Sequence, residues 1–309
     1  MIHELPLERR TLHGHFSPEL APVATVESGD TIAFACLDSS WNVEPGKKFE
    51  PRDLSLDAGH ALIGPIEVRG ARAGQTLEVG IDAVRVGAFG FTVAGGWSTW
   101  LNDRLEVGQG EDHVVRWRLD ADAGRARDEL GREVALDPFL GVLGMPPAKP
   151  GIYDTGPPRR TGGNIDCKEL VAGTKLFLPI AVDGAFFSAG DGHARQGDGE
   201  VAGTAIECGI ERAELTLTVR DLQIDSPVAW TPTAWLTFGF DVDLDDAAAA
   251  AVAAMLDLMH RELGLDRRDA LALASVVVDV RITQLVNGVL GVHAVLAHDA
   301  IGDATMGPS

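Results

Sequence analysis

The chain has 309 residues, with 26 Lys and Arg against 46 Asp and Glu, a formal net charge of −20. Hydrophobic residues make up 45% and charged residues 23%, a globular balance that excludes wholesale disorder. So acidic a chain repels phosphate backbones and anionic lipid, which argues against a nucleic-acid partner and against a membrane surface.

The first residues, MIHELPLERR, carry no apolar core of signal-peptide type. Val23–Val26 and Thr31–Leu37 read as strands flanking a hairpin-type turn at Ser28, Gly29 and Asp30. Val68 and Leu77–Val86 repeat that arrangement around Gly70 and Gly74. Val114–Leu119 adds another strand, followed by an Asp-rich turn. Such spacing of strands and turns suits a sandwich or barrel. From 137 to 164 the chain holds six prolines and six glycines and reads as loop. Its apolar Phe139, Leu140, Val142, Leu143 and Met145 are more than a solvated linker needs, so the segment is expected to pack against a site.

Leu176–Val182 and Ala213–Ile224 read as strands. Acids at 243–246 then lead into a helix that stops at Gly264, with His260 and Arg261 near its C-terminal end, as the helix dipole favours. Met255, Leu256, Met259 and Leu263 form its buried stripe. Asp266 caps a second helix, and Val278–Val286 follows as a strand. The expected class is β-rich α+β. A β-sandwich-like lobe spans 1–140, and a mixed lobe with two late helices spans 141–309, standing apart or intertwined as one domain. Cys36, Cys167 and Cys208 form no disulfide framework and no CxxC occurs. The longest apolar run, 247–256, is too short to span a bilayer. The expectation is a cytoplasmic protein.

Chemistry concentrates in one stretch. DGHARQGDGE, 191–200, places Asp191 two positions from His193 and Asp198 two positions from Glu200. In extended backbone such pairs face one side. Carboxylates and imidazole suit a divalent cation, and only Arg195 offers a nearby counter-charge in that stretch. Asn164 and Asp166, after a Gly pair, form a second candidate. A solvated Gly/Asp turn is the plain alternative. A Cys167 nucleophile is disfavoured by its acidic neighbours, and His293 reads as core.

GGNIDCKELVAGTKLFLPI, 162–180, and GAFFSAGDGHARQGDGEVAGTAIE, 184–207, closely resemble the acetamidase/formamidase family. PVATVESGDTIAF, GHALIGPIEVRGARAGQTLEV, FLGVLGMPP and DVRITQLVN match in order, so the resemblance covers most of the chain. It departs at 39–53 and 97–112, loops placed to shape a pocket. The resemblance implies a hydrolase of the C–N bond of small linear amides, giving carboxylate and ammonia. It also implies a β-rich fold, a bound divalent metal and a homo-oligomer, and oxygen-rich donors with one or two His suit Zn or Ca as that metal. On both lines together, Asp166, Asp191 and His193 hold the metal, with His60 and Glu207 as further candidates. Glu200 is the expected base. Asp198 is a ligand or orienting group, and Asn164 and Gln196 bind the substrate's carbonyl or NH₂. A non-catalytic, metal-dependent β-sandwich binding module is the alternative.

Overall fold

The computed structural model describes residues 1–50, 53 and 56–302. Residues 51 and 52 of the expected pocket-shaping segment 39–53 lie outside them. Among the described residues, eighteen strands join in one hydrogen-bonded sheet system, with three α-helices and a small two-stranded ribbon. The class is β-rich α+β with two late helices.

The strands appear where apolar and β-branched residues cluster, but their partners differ from the local reading. Ala24–Val26 does not pair with Asp30–Cys36. It runs parallel to Leu62–Val68, while Asp30–Cys36 lies antiparallel to Glu207–Arg220 and parallel to Ile2–Leu5. Likewise Leu62–Val68 does not pair with Thr76–Ala94, whose neighbours are His113–Asp120, Lys175–Pro179 and Glu207–Arg220. Both expected hairpins are therefore corrected. Their Gly-containing turns bend the chain, with Gly29, Gly70 and Gly74 at positive φ, yet each strand pairs with partners elsewhere in the chain. Ladders also run from residues before 140 to residues after it, as in Lys175–Pro179 against Thr76–Gly80.

The segment expected to be loop at 137–164 contains the strand Phe139–Gly144, buried throughout. Its apolar residues outweigh the flanking prolines and glycines once both faces are covered. It pairs with Gly162–Asn164 on one side and Phe187–His193 on the other. Phe187–His193 pairs in turn with Leu62–Val68, so the site strand is enclosed by neighbours.

The long helix is Leu244–Leu263. Asp243 caps it, its side chain accepting from the amides of Asp245 and Asp246, and Gly264 ends it at φ 69°. Met255, Leu256 and Met259 are buried and Leu263 is partly buried, in a core shared with the sheet strands Ala234–Asp241 and Leu290–Ala297. A Cβ on Gly239 would stand 2.1 Å from the Ala247 carbonyl oxygen, so glycine sets how closely helix meets sheet. Asp266 caps Arg267–Val277. No helix among the described residues is long and apolar enough to cross a membrane.

Candidate active site

Sheet register builds the centre of the site. Phe139 stands opposite His193, and His193 opposite Glu207. The Phe139 ring meets the imidazole edge-on, with centroids 5.0 Å apart and planes at 89°. Asp191 lies two residues before His193 on the same strand, at φ 61°. His193 Nε2 is 3.3 Å from Glu207 Oε1 and 3.4 Å from Asp191 Oδ2. The strand comes this close to its neighbours because Gly190 and Gly192 alternate with the functional residues. A Cβ on Gly190 would be 2.3 Å from the Ala61 carbonyl oxygen, and one on Gly192 2.5 Å from that of Cys208.

Asp166 arrives from a different segment, at φ 51°. The amides of Ile165 and Asp166 both donate to the Gly141 carbonyl, at 3.0 and 3.3 Å. Gln196 Nε2 donates to the Asp166 carbonyl at 2.7 Å, and Asn287 Nδ2 donates to Asp166 Oδ2 at 2.5 Å. His193 Nδ1 is 3.9 Å from Asp166 Oδ1. Glu200, at φ 43°, completes the group: one donor atom each from His193, Glu200 and Glu207 lie within 4.8 Å of one another, as do those from Asp166, Asp191 and His193. Left-handed backbone at three non-glycine acids is costly, and such strain gathers at functional sites.

All five of these side chains are buried. Burial pushes the Asp166 carboxyl up to about 7, with Asp191 adding to the rise and the His193 and His60 charges opposing it. Burial acts upward on Asp191 too, but the charges of His193 and His60 outweigh it and hold the group at about 2. Glu200 is held well above the ordinary carboxylate range by burial and by Asp166. Burial disfavours the charged form of His193, yet Glu207 and Asp191 overcome that and raise it well above its ordinary value. Asp166 and Glu200 therefore hold protons more readily than exposed carboxylates do, and a bound cation would invert this balance.

Three observations test whether a cation fits. Six buried atoms of the candidate residues have no hydrogen-bond partner: Asn164 Oδ1, Asp166 Oδ1, Asp191 Oδ1, His193 Nδ1, Gln196 Oε1 and Glu207 Oε2. Gly141 leaves a cradle between the acids, where a Cβ would lie 2.4 Å from Asp191 Oδ2 and 2.5 Å from Asp166 Oδ1. The donors are carboxylates and one imidazole. This arrangement is compatible with a divalent cation.

The remaining expected residues fall as follows. Asn164 is buried opposite Val142. Gln196 and Glu200 form part of the wall of an open cleft of about 750 Å³, which joins the centre to solvent. Asp198 is exposed on that wall, with Lys168 Nζ 2.9 Å from its Oδ2. Half-buried His60 places Nδ1 2.8 Å from Thr155 Oγ1 and acts on Asp166 and Asp191 through its charge. Arg195, the expected counter-charge, turns away to Asp137 at 2.7 Å. The segment 97–112 forms a short helix, Trp100–Arg104, and Trp100 Nε1 donates to the Leu285 carbonyl at 3.2 Å beside the Asn287 loop.

Phe139, one of the apolar residues expected to pack against a site, does so at His193, whereas Gly141 and Asn287 belong to the centre without having been singled out from sequence. Both occupied a matching motif, FLGVLGMPP or DVRITQLVN, but a small and an amide residue carry no charge to flag them.

A β-rich scaffold that folds four acids and an imidazole into a buried centre beside an open cleft has the architecture of an enzyme. The chain belongs to the acetamidase/formamidase family, whose model matches residues 3–154 and 148–297, and so is an amidohydrolase. It is 25% identical to a putative formamidase of Schizosaccharomyces pombe over 307 residues, covering 76% of this chain and 74% of that protein. It is 28% identical to the formamidase of Methylophilus methylotrophus over 245 residues, covering 62% of this chain and 59% of that protein. The crystal structure of an acetamidase from Bacillus halodurans superposes with a TM-score of 0.85 at 26% identity, covering 98% of this chain and 100% of the other.

Proposed function

We propose that the chain is a metal-dependent hydrolase of the C–N bond of small linear amides of the formamide and acetamide type. Water supplies oxygen to the carbonyl carbon, the C–N bond breaks, and nitrogen leaves with a proton as ammonia. The observation that carries the reading is the convergence of Asp166, Asp191, His193, Glu200 and Glu207 on one buried centre, in a chain of a family named for acetamidase and formamidase.

Asp166, Asp191 and His193 would hold the cation, with Glu207 beside His193 and His60 supporting from Thr155. Zn²⁺ or Ca²⁺ suits the donors, and when bound it would polarise the carbonyl and make water more acidic. Glu200 stands at the cleft end of the centre, where a small molecule enters. There it would take a proton from water and return it to the departing nitrogen. The free Oδ1 of Asn164 and Oε1 of Gln196 are acceptors suited to the substrate's NH₂. Asp198 orients Lys168 at the cleft wall. Burial of the centre strengthens each of these polar contacts. The protein acts as a cytoplasmic homo-oligomer in this reading, and its three cysteines, all buried and free, agree with a reducing compartment.

The test measures ammonia released from formamide and acetamide by the wild type, by Asp191→Asn and by Glu200→Gln, with and without chelator. Chelation should abolish turnover, and Glu200→Gln should lose roughly 10²–10⁴-fold. Wild-type rates in both variants, or turnover untouched by chelator, overturn the reading.

A further inference from the structure

A second cluster of donors gathers around Cys167, the residue after Asp166. Cys167 follows Asp166 in the chain, but its thiol turns toward Glu169, with Sγ 3.2 Å from Oε2. His293, on Leu290–Ala297, brings Nε2 to 3.8 Å from the same oxygen. One donor atom from each of the three lies within 4.8 Å of the others. Cys167 is 1% exposed and His293 0%. The His293 Nε2 atom is buried without a hydrogen-bond partner although it faces the cluster.

The surroundings orient each group. Arg281 and Thr283 lie two apart on Val278–Gln284, and Arg281 stands opposite His293 in the ladder. Thr283 Oγ1 is 2.8 Å from His293 Nδ1. With Nδ1 donating to that hydroxyl, Nε2 presents its lone pair to the cluster. Arg281 Nη1 is 3.1 Å from Glu169 Oε1, which leaves Oε2 for the cluster. Lys168 is 4.0 Å from Glu169 Oε1, but its nearer partner is Asp198, at 2.9 Å, which offsets its charge. Metal ligands are ordinarily held in this way, with the second imidazole nitrogen and the second carboxylate oxygen each occupied by a neighbour.

We infer that Cys167, Glu169 and His293 form a second metal site, separate from the oxygen-rich centre and suited to Zn²⁺. A thiolate, an imidazole and a carboxylate are zinc donors, and sulfur separates this set from the carboxylate-dominated one. The ion replaces the Cys167 thiol proton, which passes to solvent. Thiolate and carboxylate then face the ion with two negative charges, the carboxylate's being shared with Arg281. Lys168 and Glu169 line the cleft, so the ion has a route in. Three protein donors leave a further position for water or another small ligand. The site does not depend on which amide the enzyme turns over.

Cobalt(II) is the probe, because thiolate coordination produces a charge-transfer absorption in the near ultraviolet that oxygen and nitrogen donors do not. The full chain, reduced and stripped with chelator, is titrated with Co²⁺ and read by absorbance. A parallel sample is loaded with Zn²⁺ for metal counting. The wild type should show the band and bind one more zinc per chain than Cys167→Ser, in which the band should vanish. His293→Gln should lose the same equivalent. No band in the wild type at saturating cobalt, or a band that persists in Cys167→Ser, overturns the proposal. The wild-type spectrum decides even if a variant fails to fold, and it is read independently of ammonia release.

Discussion

The carboxamide of Asn287 donates to Asp166 Oδ2 at 2.5 Å across 121 positions of sequence. Asn287 holds its place because Gln284 ties down the turn before it. Gln284 Nε2 donates to the Val289 carbonyl, and its Oε1 accepts from the amides of Val286 and Asn287. One Asp166 oxygen is thereby occupied while Oδ1 stays free and faces the centre. Replacing Asn287 by Ala should weaken metal binding or turnover by roughly 10–100-fold, the usual cost of losing an orienting partner. Competition with a chelator of known affinity measures the first effect, and ammonia release the second.

Gly141 tests the cradle directly. Its backbone is open to alanine, as its φ is not positive, but the added methyl would meet Asp191 and Asp166 oxygens at 2.4 and 2.5 Å. Gly141→Ala should cost on the order of 100-fold or more in turnover, because a shift of about 1 Å in a reacting group has that effect. Circular dichroism should show the same strand content as the wild type, so the loss is read as local.

Gly239→Ala should do the reverse. The methyl would strike the Ala247 carbonyl oxygen and the Ala251 amide nitrogen, at 2.1 and 2.5 Å, forcing the long helix off the sheet. A destabilisation of about 3 kcal/mol is expected from overpacking of this kind. Denaturant unfolding checks it, and turnover per folded molecule should stay near the wild-type value because the helix lies outside the centre.

His13 supplies a pH dependence. Its ring is buried, with Nδ1 2.6 Å from the His15 carbonyl and Nε2 3.0 Å from Ser188 Oγ on the site strand. Burial lowers it from 6.5 to about 4, the His15 carbonyl opposing and the nearby charges of His15 and Arg9 assisting. Between those values the unfolded chain binds the extra proton and the folded chain does not. The contribution is therefore fully present above pH 6.5 and declines as pH falls toward about 4. The span corresponds to about 3 kcal/mol. Unfolding free energies at pH 7 and pH 4.5 should differ less in His13→Gln than in the wild type.

Some of this was legible in the residues alone. The helix Leu244–Leu263 announced itself through Asp243 at one end, Gly264 at the other and an apolar stripe between, all signals contained within one segment. Asp191 and His193 were legible as a pair because they share a strand and a face. Charge density drew attention to Glu200, and order along the chain linked Asp166 to the same family motifs. Strand pairing was not legible. Ala24–Val26 and Asp30–Cys36 carry the marks of a hairpin, yet each pairs elsewhere, because partner choice depends on residues far away in sequence. Phe139–Gly144 read as loop for a related reason: its flanking prolines are local, and the covering strands that make it a core element are not.

Composition, periodicity and end signals thus determined the class, the late helices and the kinds of group available for chemistry, since those follow from each residue's own preferences and near neighbours. Only the tertiary structure decided that Asp166, Glu200 and Glu207 surround His193 while Asp198 faces solvent beside Lys168, and that Cys167 points away from its neighbour Asp166 toward His293. A side chain's direction is set by the ladder and the backbone turn that carry it, and those are properties of the assembled sheet.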